Sequence, residues 1–574
     1  MRCNTPPGLK NTLLSLLLPL SAALLLGTLQ ADDGAVTVPG AVTVTILQTT
    51  DIHAHLVPWD YARSKDDDVG LSRVATRVKE VRRETPNVLL LDAGDTIQGT
   101  PIGFLHARRG KPQDVDPTIA SMNAMKFDAM SVGNHEFNFG MAVLRKAQKE
   151  AAFPLLSANT RNTTDGSAAF PEYVVKTVAG VKIGILGMTT PNIPNWEPEL
   201  NRPGLRWEDP VVTAKRLVPV LRGKEACDFV IVVIHSGPEV DLKTGQPDGT
   251  ENENRVAAIA QKVPGVDLLL TGHTHRKIPL TMLNGVPIIQ PGRWGEVLAR
   301  VDVTFARKDG KWAAVAPFKG ELLASDKSVA ADPEVEKIAD GPHRAARAYL
   351  DEVIAIAEDA FPGDRARLGD SALLDLVNET QRAATGADLS MTSLLPFRFD
   401  GLPKGPVTVR NLYGLYPYEN QLVSVEIDGA TLKAVLEHAA EYYGSATWDG
   451  GKLSLKPKEG MIAYNFDVVQ GASYRIDPTA PVGSRVKDLH YKGRPVQPSD
   501  RLTMALNAYR AQGSGGYTML KGAKVVKVFS TEIRELVIDR LRELKTVRPT
   551  VDHNWYVAPD GAWAPDAFVR RPAN

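Results

Sequence analysis

Five apolar runs in the first half of the chain each stop at an Asp, Asn or His. Val42–Thr50 runs into Asp51-Ile52-His53, Val88–Asp92 into Gly94-Asp95, and Phe127–Val132 into Gly133-Asn134-His135-Glu136. Cys227–Ile234 runs into His235, and Val266–Thr271 into Gly272-His273-Thr274-His275. The stretches Val88–Leu91, Ile231–Ile234 and Leu268–Leu270 are continuously apolar, the pattern of strands covered on both faces. Between them, Leu71–Glu84 carries Leu71, Val74, Val78 and Val81 at helical spacing with Arg and Lys interposed. This alternation predicts a layered α/β domain over residues 42–326, with polar strand ends gathered at one edge.

Past it the pattern changes. Residues 327–360 are rich in Ala and charge and read as a helical connector, interrupted at Asp340-Gly341-Pro342. A second α/β domain is expected over residues 361–550. It holds an amphipathic helix at Ser371–Thr385, strands at Leu422–Ile427, Ala472–Ile476 and Leu502–Ala505, and a closing helix at Thr531–Leu544. The Pro-rich tail, residues 551–574, has no periodicity and is expected to be partly disordered or strapped to the surface.

Composition adds the compartment and removes some partners. A chain of 574 residues exceeds one core, and 43% hydrophobic with 23% charged residues is ordinary for a globular protein. Lys+Arg and Asp+Glu both number 67, so no global field favours a nucleic-acid polymer or an anionic membrane. Residues 1–31 read as a signal peptide: Arg2 and Lys10, then apolar Leu13–Leu26, then Ala31 before Asp32-Asp33. The apolar run falls short of the ~20 residues a membrane helix needs, so export to the periplasm or medium is expected, with no stable span after cleavage. Cys3 lies before the apolar run, not after it as in a lipobox. Cleavage leaves Cys227 alone, which excludes an internal disulfide.

The strand-end residues carry the chemistry. Any one of them alone is an ordinary polar cap. Yet six of the 11 histidines (His53, His55, His135, His235, His273, His275) fall in or beside these motifs. Oxygen and imidazole donors suit Mn, Zn, Fe, Co or Mg rather than thiolate-preferring metals. Two such ions sharing a carboxylate are a common solution for hydrolysing phosphate esters.

In this order the motifs resemble the calcineurin-like metallophosphoesterases, and more closely the 5′-nucleotidase family of secreted two-domain enzymes. The resemblance implies an α/β/β/α metallophosphoesterase domain followed by an α/β nucleotide-binding domain. It implies two divalent ions, Mn, Zn or similar. One would be held by Asp51, His53, Asp95 and His275, the other by Asp95, Asn134, His235 and His273, with Asp95 bridging. The family mostly has Gln at the place of His275. His135 would stand beside the scissile phosphate, stabilising charge or protonating the leaving oxygen. Many relatives carry Asp at the place of Asn138. An Asn there orients the ring but lends no charge, so Asn138→Asp is expected to raise the pKa of His135.

The same resemblance assigns the second domain to the nucleoside, stacking the base between two aromatic rings. Leu415–Asn420 offers Tyr418, with Tyr416 beside it, and Asn507–Tyr517 offers Tyr509 before a Gly-rich turn. Arg410, Asn411 and Asn507 are candidate polar contacts to base or ribose. The Asn-x-Gly-x-Arg and Gly-Gly-Asp-Gly segments of the 5′-nucleotidase branch are missing. Val407–Asn411, Tyr464–Asp467, Asn507–Ala511 and Trp294 are similar instead to the 2′,3′-cyclic-nucleotide 2′-phosphodiesterase/3′-nucleotidase branch. The expected activity is therefore opening of 2′,3′-cyclic nucleotides and removal of the 3′-phosphate. The alternatives are a 5′-nucleotidase or UDP-sugar hydrolase, a sulfur-ester hydrolase, and a surface-binding protein that kept the fold and lost catalysis.

Overall fold

The computed structural model describes residues 40–559, except 316, 364–365, 396–398, 418–419 and 450–451. The expected signal peptide and Tyr418 lie outside the described residues. Among those described, no helix is long and apolar enough to cross a membrane.

Two sheets face each other in the first domain. One runs, in spatial order, Lys311–Ala314, Val297–Lys308, Val42–Thr49, Val88–Asp92, Ala129–Ser131 and Leu155–Leu156, with Lys319–Ala324 also on Val297–Lys308. The other runs Lys277–Leu283, Val286–Pro291, Leu268–Thr271, Phe229–His235, Val181–Thr189 and Tyr173–Val178. Alternation along each strand sorts its side chains into separate cores. Val44, Ile46, Leu89 and Leu91 meet Ile183, Ile185, Ile231 and Leu268 between the sheets. Val230, Val232 and Ile234 point the other way, onto Leu217, Leu221 and Ile259 of two covering helices. On the far side of the first sheet, Leu47, Leu90 and Met130 pack under Leu71, Val74 and Val78. These four layers are the expected α/β/β/α architecture. The helix Leu71–Glu84 has the predicted bounds.

The second domain centres on the five-stranded sheet Asp467–Gln470, Leu389–Ser393, Arg501–Asn507, Gln421–Asp428 and Lys524–Glu532. Helices Ala372–Thr385, Gly429–Ala440 and Ile533–Leu544 bury Leu373, Leu436 and Ile538 in its core. That core is continuous with the helical layer of the first domain. Arg534 lies 5.4 Å over the Phe104 ring of the first domain, and Tyr349 Oη of the connector helix donates to Glu535 at 3.0 Å.

Two elements depart from expectation. The connector helix Pro333–Leu350 is unbroken through Pro342. Its stripe Val335, Ala339, Ala346 and Leu350 is buried, and that burial outweighs the ~3 kcal/mol an internal proline costs. Immediately after it, Val353–Ala357 is a strand paired with Gly405–Thr408 and Thr546–Val547 of the second domain. The tail also contributes a strand. Trp555–Val557 pairs in parallel with Ala472–Ile476 and buries Trp555, so this part is core and not a disordered strap.

Candidate active site

Parallel strands deliver the polar residues to one edge, because their carboxyl ends all face the same way. Two of the loops lock together. The Glu136 carboxylate accepts backbone N–H donors from Gly133 (2.6 Å), Asp95 (2.9 Å), Thr96 (2.6 Å) and Ile97 (3.3 Å). A Cβ at Gly133 would come within 2.3 Å of Asp95 Oδ1, so only glycine permits this approach. The backbone of the candidate ligands is itself unusual: Asp51, His53, Asp95, His273 and His275 have φ of 51°, 48°, 59°, 72° and 55°. Left-handed backbone in non-glycine residues is costly and gathers at functional sites.

The side chains converge in two groups, Asp51 with His53 and His275, and Asp95 with His235 and His273. His275 Nε2 is 3.2 Å from both Asp51 Oδ1 and His53 Nε2. His235 Nε2 is 2.9 Å from Asp95 Oδ2 and 3.1 Å from Asn134 Oδ1. Asp95 Oδ2 also lies 3.9 Å from His53 Nε2, between the two groups. Outer partners preset the rings. His53 Nδ1 donates to the Gln98 carbonyl (3.0 Å) and His235 Nδ1 to the Ala93 carbonyl (2.7 Å), leaving each Nε2 lone pair aimed inward. His273 Nε2 meets Glu253 at 2.7 Å, which leaves Nδ1 for an ion. His275 is less preset, since its Nδ1 faces Arg293, a donor only, at 3.3 Å.

This donor set fits divalent ions. Asp51 Oδ1 is buried and accepts no hydrogen bond, an expense that a cation would remove. Burial favours the neutral acid at Asp51 and Asp95, yet the neighbouring histidines outweigh it and hold both below the ordinary carboxylate range. Burial takes His53 down to about 3, keeping it a neutral donor. His235 goes the other way: burial is overcome by Asp95, and its pKa is pushed up to about 10.

His135 stands at the lip, 4.0 Å from Asp95 Oδ2 through its Nε2. Its Nδ1 is 2.6 Å from Asn138 Oδ1, and Asn138 Nδ2 donates to Glu197 Oε1 at 2.5 Å. Burial disfavours charge on His135, but Asp95, Asn138 and Glu197 together raise its pKa. The charge that Asn138 lacks is thus present one residue behind it. A carboxylate introduced at residue 138 would sit against Glu197.

A cleft of about 340 Å³ joins this lip to the second domain. Its first-domain wall includes His135, Trp196, Glu197 and His273, and its second-domain wall Gln421, Tyr464, Asn507 and Tyr509. The fully buried Arg510 builds that second wall. Its Nε donates to Asp467 (3.0 Å) and its Nη2 to the Tyr464 carbonyl (2.6 Å), while the guanidinium lies 5.4 Å from the Tyr509 ring. Asn507 caps the helix Ala508–Ala511 through a 2.8 Å bond to the Arg510 N–H.

The structure therefore brings together Asp51, His53, Asp95, Asn134, His135, Asn138, His235, His273 and His275, and sets Asn507 and Tyr509 across the cleft. Arg410 and Asn411 are elsewhere. Arg410 donates to the Tyr61 carbonyl and Asp351, and Asn411 closes a capping box with Thr408. His55 stacks on Trp294 at 4.6 Å, which explains the Trp294 signal as support for the Asp51–His53 loop. Glu136, Glu197, Trp196 and Tyr464 were not singled out from sequence. Glu136 and Tyr464 left a trace there, in Gly133-Asn134-His135-Glu136 and Tyr464–Asp467; Glu197 and Trp196 left none.

Comparison with known proteins agrees with this geometry. The family described as calcineurin-like phosphoesterase matches residues 44–277, and the 5′-nucleotidase C-terminal domain family matches residues 353–522. The chain is 30% identical to the 2′,3′-cyclic-nucleotide 2′-phosphodiesterase/3′-nucleotidase of Salmonella typhimurium, covering 94% of this chain and 92% of that protein. It is also 30% identical to the trifunctional nucleotide phosphoesterase protein YfkN of Bacillus subtilis, over 90% of this chain but only 39% of that longer protein. A Staphylococcus aureus protein assigned as a 5′-nucleotidase and solved with α-ketoglutarate superposes with a TM-score of 0.77. That pair is 26% identical, covering 90% of this chain and 100% of the other.

Proposed function

Since the chain belongs to the 5′-nucleotidase family of calcineurin-like, metal-dependent phosphoester hydrolases, we propose that it opens 2′,3′-cyclic nucleotides and then removes the 3′-phosphate. The observation that carries this reading is the cleft lined by Asn134, His135 and His273 on one side, at the edge of the Asp–His donor set, and by Tyr464 and Tyr509 on the other. Asp51, His53, Asp95 and His275 would hold one divalent ion, and Asp95, Asn134, His235 and His273 a second. Such ions supply Lewis acidity for attack on phosphorus.

The chain's own residues divide the remaining work. Tyr509 and Tyr464 present flat faces to the base, worth on the order of 1–3 kcal/mol per stacked base. Asn507 reaches the ribose or base from the same wall. With Nδ1–H held by Asn138, the imidazolium form of His135 can donate from Nε2 to a phosphoryl oxygen or to the departing ribose oxygen. Trp196 and Pro198 line the first-domain side of the cleft. Residues 1–31 would direct export to the periplasm or medium, where nucleotides are scavenged.

Phosphate release from 2′,3′-cyclic AMP, 3′-AMP, 5′-AMP and a UDP-sugar, with and without Mn or Zn, tests the assignment. Turnover of the cyclic and 3′ substrates above the others is expected. Preference for 5′-AMP or the UDP-sugar would replace it with the 5′-nucleotidase or UDP-sugar hydrolase reading.

A further inference from the structure

A line of side chains runs from the imidazole of His135 to the second domain. His135 Nδ1 meets Asn138 Oδ1 at 2.6 Å, and Asn138 Nδ2 donates to Glu197 Oε1 at 2.5 Å. Glu197 Oε2 accepts from Asn201 Nδ2 at 2.9 Å, and Asn201 Oδ1 accepts from Gln421 Nε2 at 3.1 Å. Glu197 and Asn201 are buried, as is Gln421 at the start of the strand Gln421–Asp428. Asn201 Nδ2 also donates to the Asn138 carbonyl at 3.2 Å, closing a small ring of bonds around residue 138.

The polarity of this line is set at one point. An amide can turn either its oxygen or its nitrogen towards a histidine, because the two ends have the same shape. A carboxylate accepts and cannot donate. Each Glu197 oxygen faces an NH2 group, from Asn138 on one side and Asn201 on the other. The Asn138 nitrogen is therefore committed to Glu197, and its oxygen must face the ring. A histidine facing an acceptor through Nδ1 carries hydrogen there, which decides what Nε2 presents to the cleft.

We propose that Glu197 is a positioning residue for His135, holding the Asn138 amide in the one orientation that places the ring hydrogen on Nδ1 and turns Nε2 towards the substrate. Gln421 fastens the far end of the line, so seating of the second domain and alignment of His135 are parts of one hydrogen-bonded unit. In relatives with an aspartate at the position of residue 138, the carboxylate would face the ring directly; here the carboxylate is one link further out, with an amide as intermediary. This inference rests on the reading of His135 as the catalytic side chain.

The test is an exchange of partners. Glu197→Gln can offer either a donor or an acceptor to Asn138, so the amide is freed to flip. Its kcat should fall about tenfold, as for other groups that orient a working histidine, with KM within about twofold of the parent. Asn138→Asp alone sets two carboxylates against each other and should also lose kcat. The double variant Asn138→Asp/Glu197→Gln restores one carboxylate, one amide and their polarity, and should return kcat to within about threefold of the parent. Selective ¹⁵N-histidine NMR of the zinc-loaded protein gives a readout independent of turnover. At a pH where the ring is neutral, the His135 pattern should be Nδ1–H in the parent and the double variant, and mixed in Glu197→Gln. A parental kcat in Glu197→Gln, a double variant no better than either single change, or an unaltered tautomer in Glu197→Gln would each overturn the proposal. A parental kcat in His135→Ala would overturn instead the reading on which it rests.

Discussion

Two clusters of carboxylates in this chain meet the same geometric test for holding a cation, and they are built on opposite principles. Asp51 and Asp95 are interleaved with four histidines, sit on left-handed backbone, and stay below the ordinary carboxylate range. In the second domain Asp370, Asp375 and Asp552 stand equally close with no histidine among them. Burial and mutual repulsion push Asp370 up to about 7 and Asp375 up to about 8. The first cluster keeps its negative charge available, whereas the second relieves its repulsion by holding protons. Proximity of acids thus says little by itself; what distinguishes the first cluster is that its carboxylates are interleaved with imidazoles, three of which are already oriented by carbonyl or carboxylate partners.

The sharpest break is expected at Asp95. Asp95→Asn removes the shared charge and should lower kcat/KM by about 10³-fold or more, the scale of losing a principal electrostatic contact in a transition state. Phosphate release under saturating Mn or Zn measures it, and retained activity would place the chemistry elsewhere. Glu136→Gln comes next. It replaces a charged acceptor of four backbone donors, and should destabilise the fold by about 2–3 kcal/mol in denaturant melts. Tighter coupling of stability to added metal is expected in that variant, because ligand binding then compensates for the lost strap.

The third prediction concerns the proton-holding cluster and has a definite sign. Asp370 and Asp375 have raised pKa values, so the folded state binds protons that the unfolded chain has lost above pH 3.8. Stability should therefore fall as pH rises from about 4 through about 8. Asp375→Asn removes the larger share of that dependence and should raise Tm at pH 8 by roughly 2–4 °C, with little change at pH 4. The smallest effect is expected from Ca²⁺ on the parent with its first cluster already loaded. A Tm shift below about 1 °C fits a proton-holding cluster; a larger shift that disappears in Asp375→Asn would make it a second metal site and end the contrast.

Sequence alone carried the first cluster because each ligand terminates an apolar run, and a strand that ends in a fixed direction delivers its last residue to a known edge. The helix Leu71–Glu84 and the strand Ala472–Ile476 were legible for a related reason, since periodicity records burial directly. Glu197, Asn201 and Gln421 leave no such record. They lie in loops or at a strand start, and their meaning depends on bonds across gaps of up to 220 residues. Arg410 illustrates the converse. A lone arginine beside a turn reads the same whether it meets a base or, as here, a carbonyl and a carboxylate near the junction of the domains. Pro342 misled because a local breaker was read without the apolar stripe that holds its helix down.

The left-handed turns under five of the candidate ligands also limit how this centre can be re-engineered. Each of those positions must furnish a donor atom and tolerate φ between 48° and 72°. Among non-glycine residues, Asp, Asn and His are enriched in that region, and β-branched side chains are outliers there. Recruiting a thiolate or a longer carboxylate at positions 51, 53, 95, 273 or 275 would set the new ligand against its own backbone. Attempts to retune metal preference have freer ground at Asn134, with φ of −78°, and at His235 on its strand. The palette for a different metal is therefore wide at two positions and narrow at the other five.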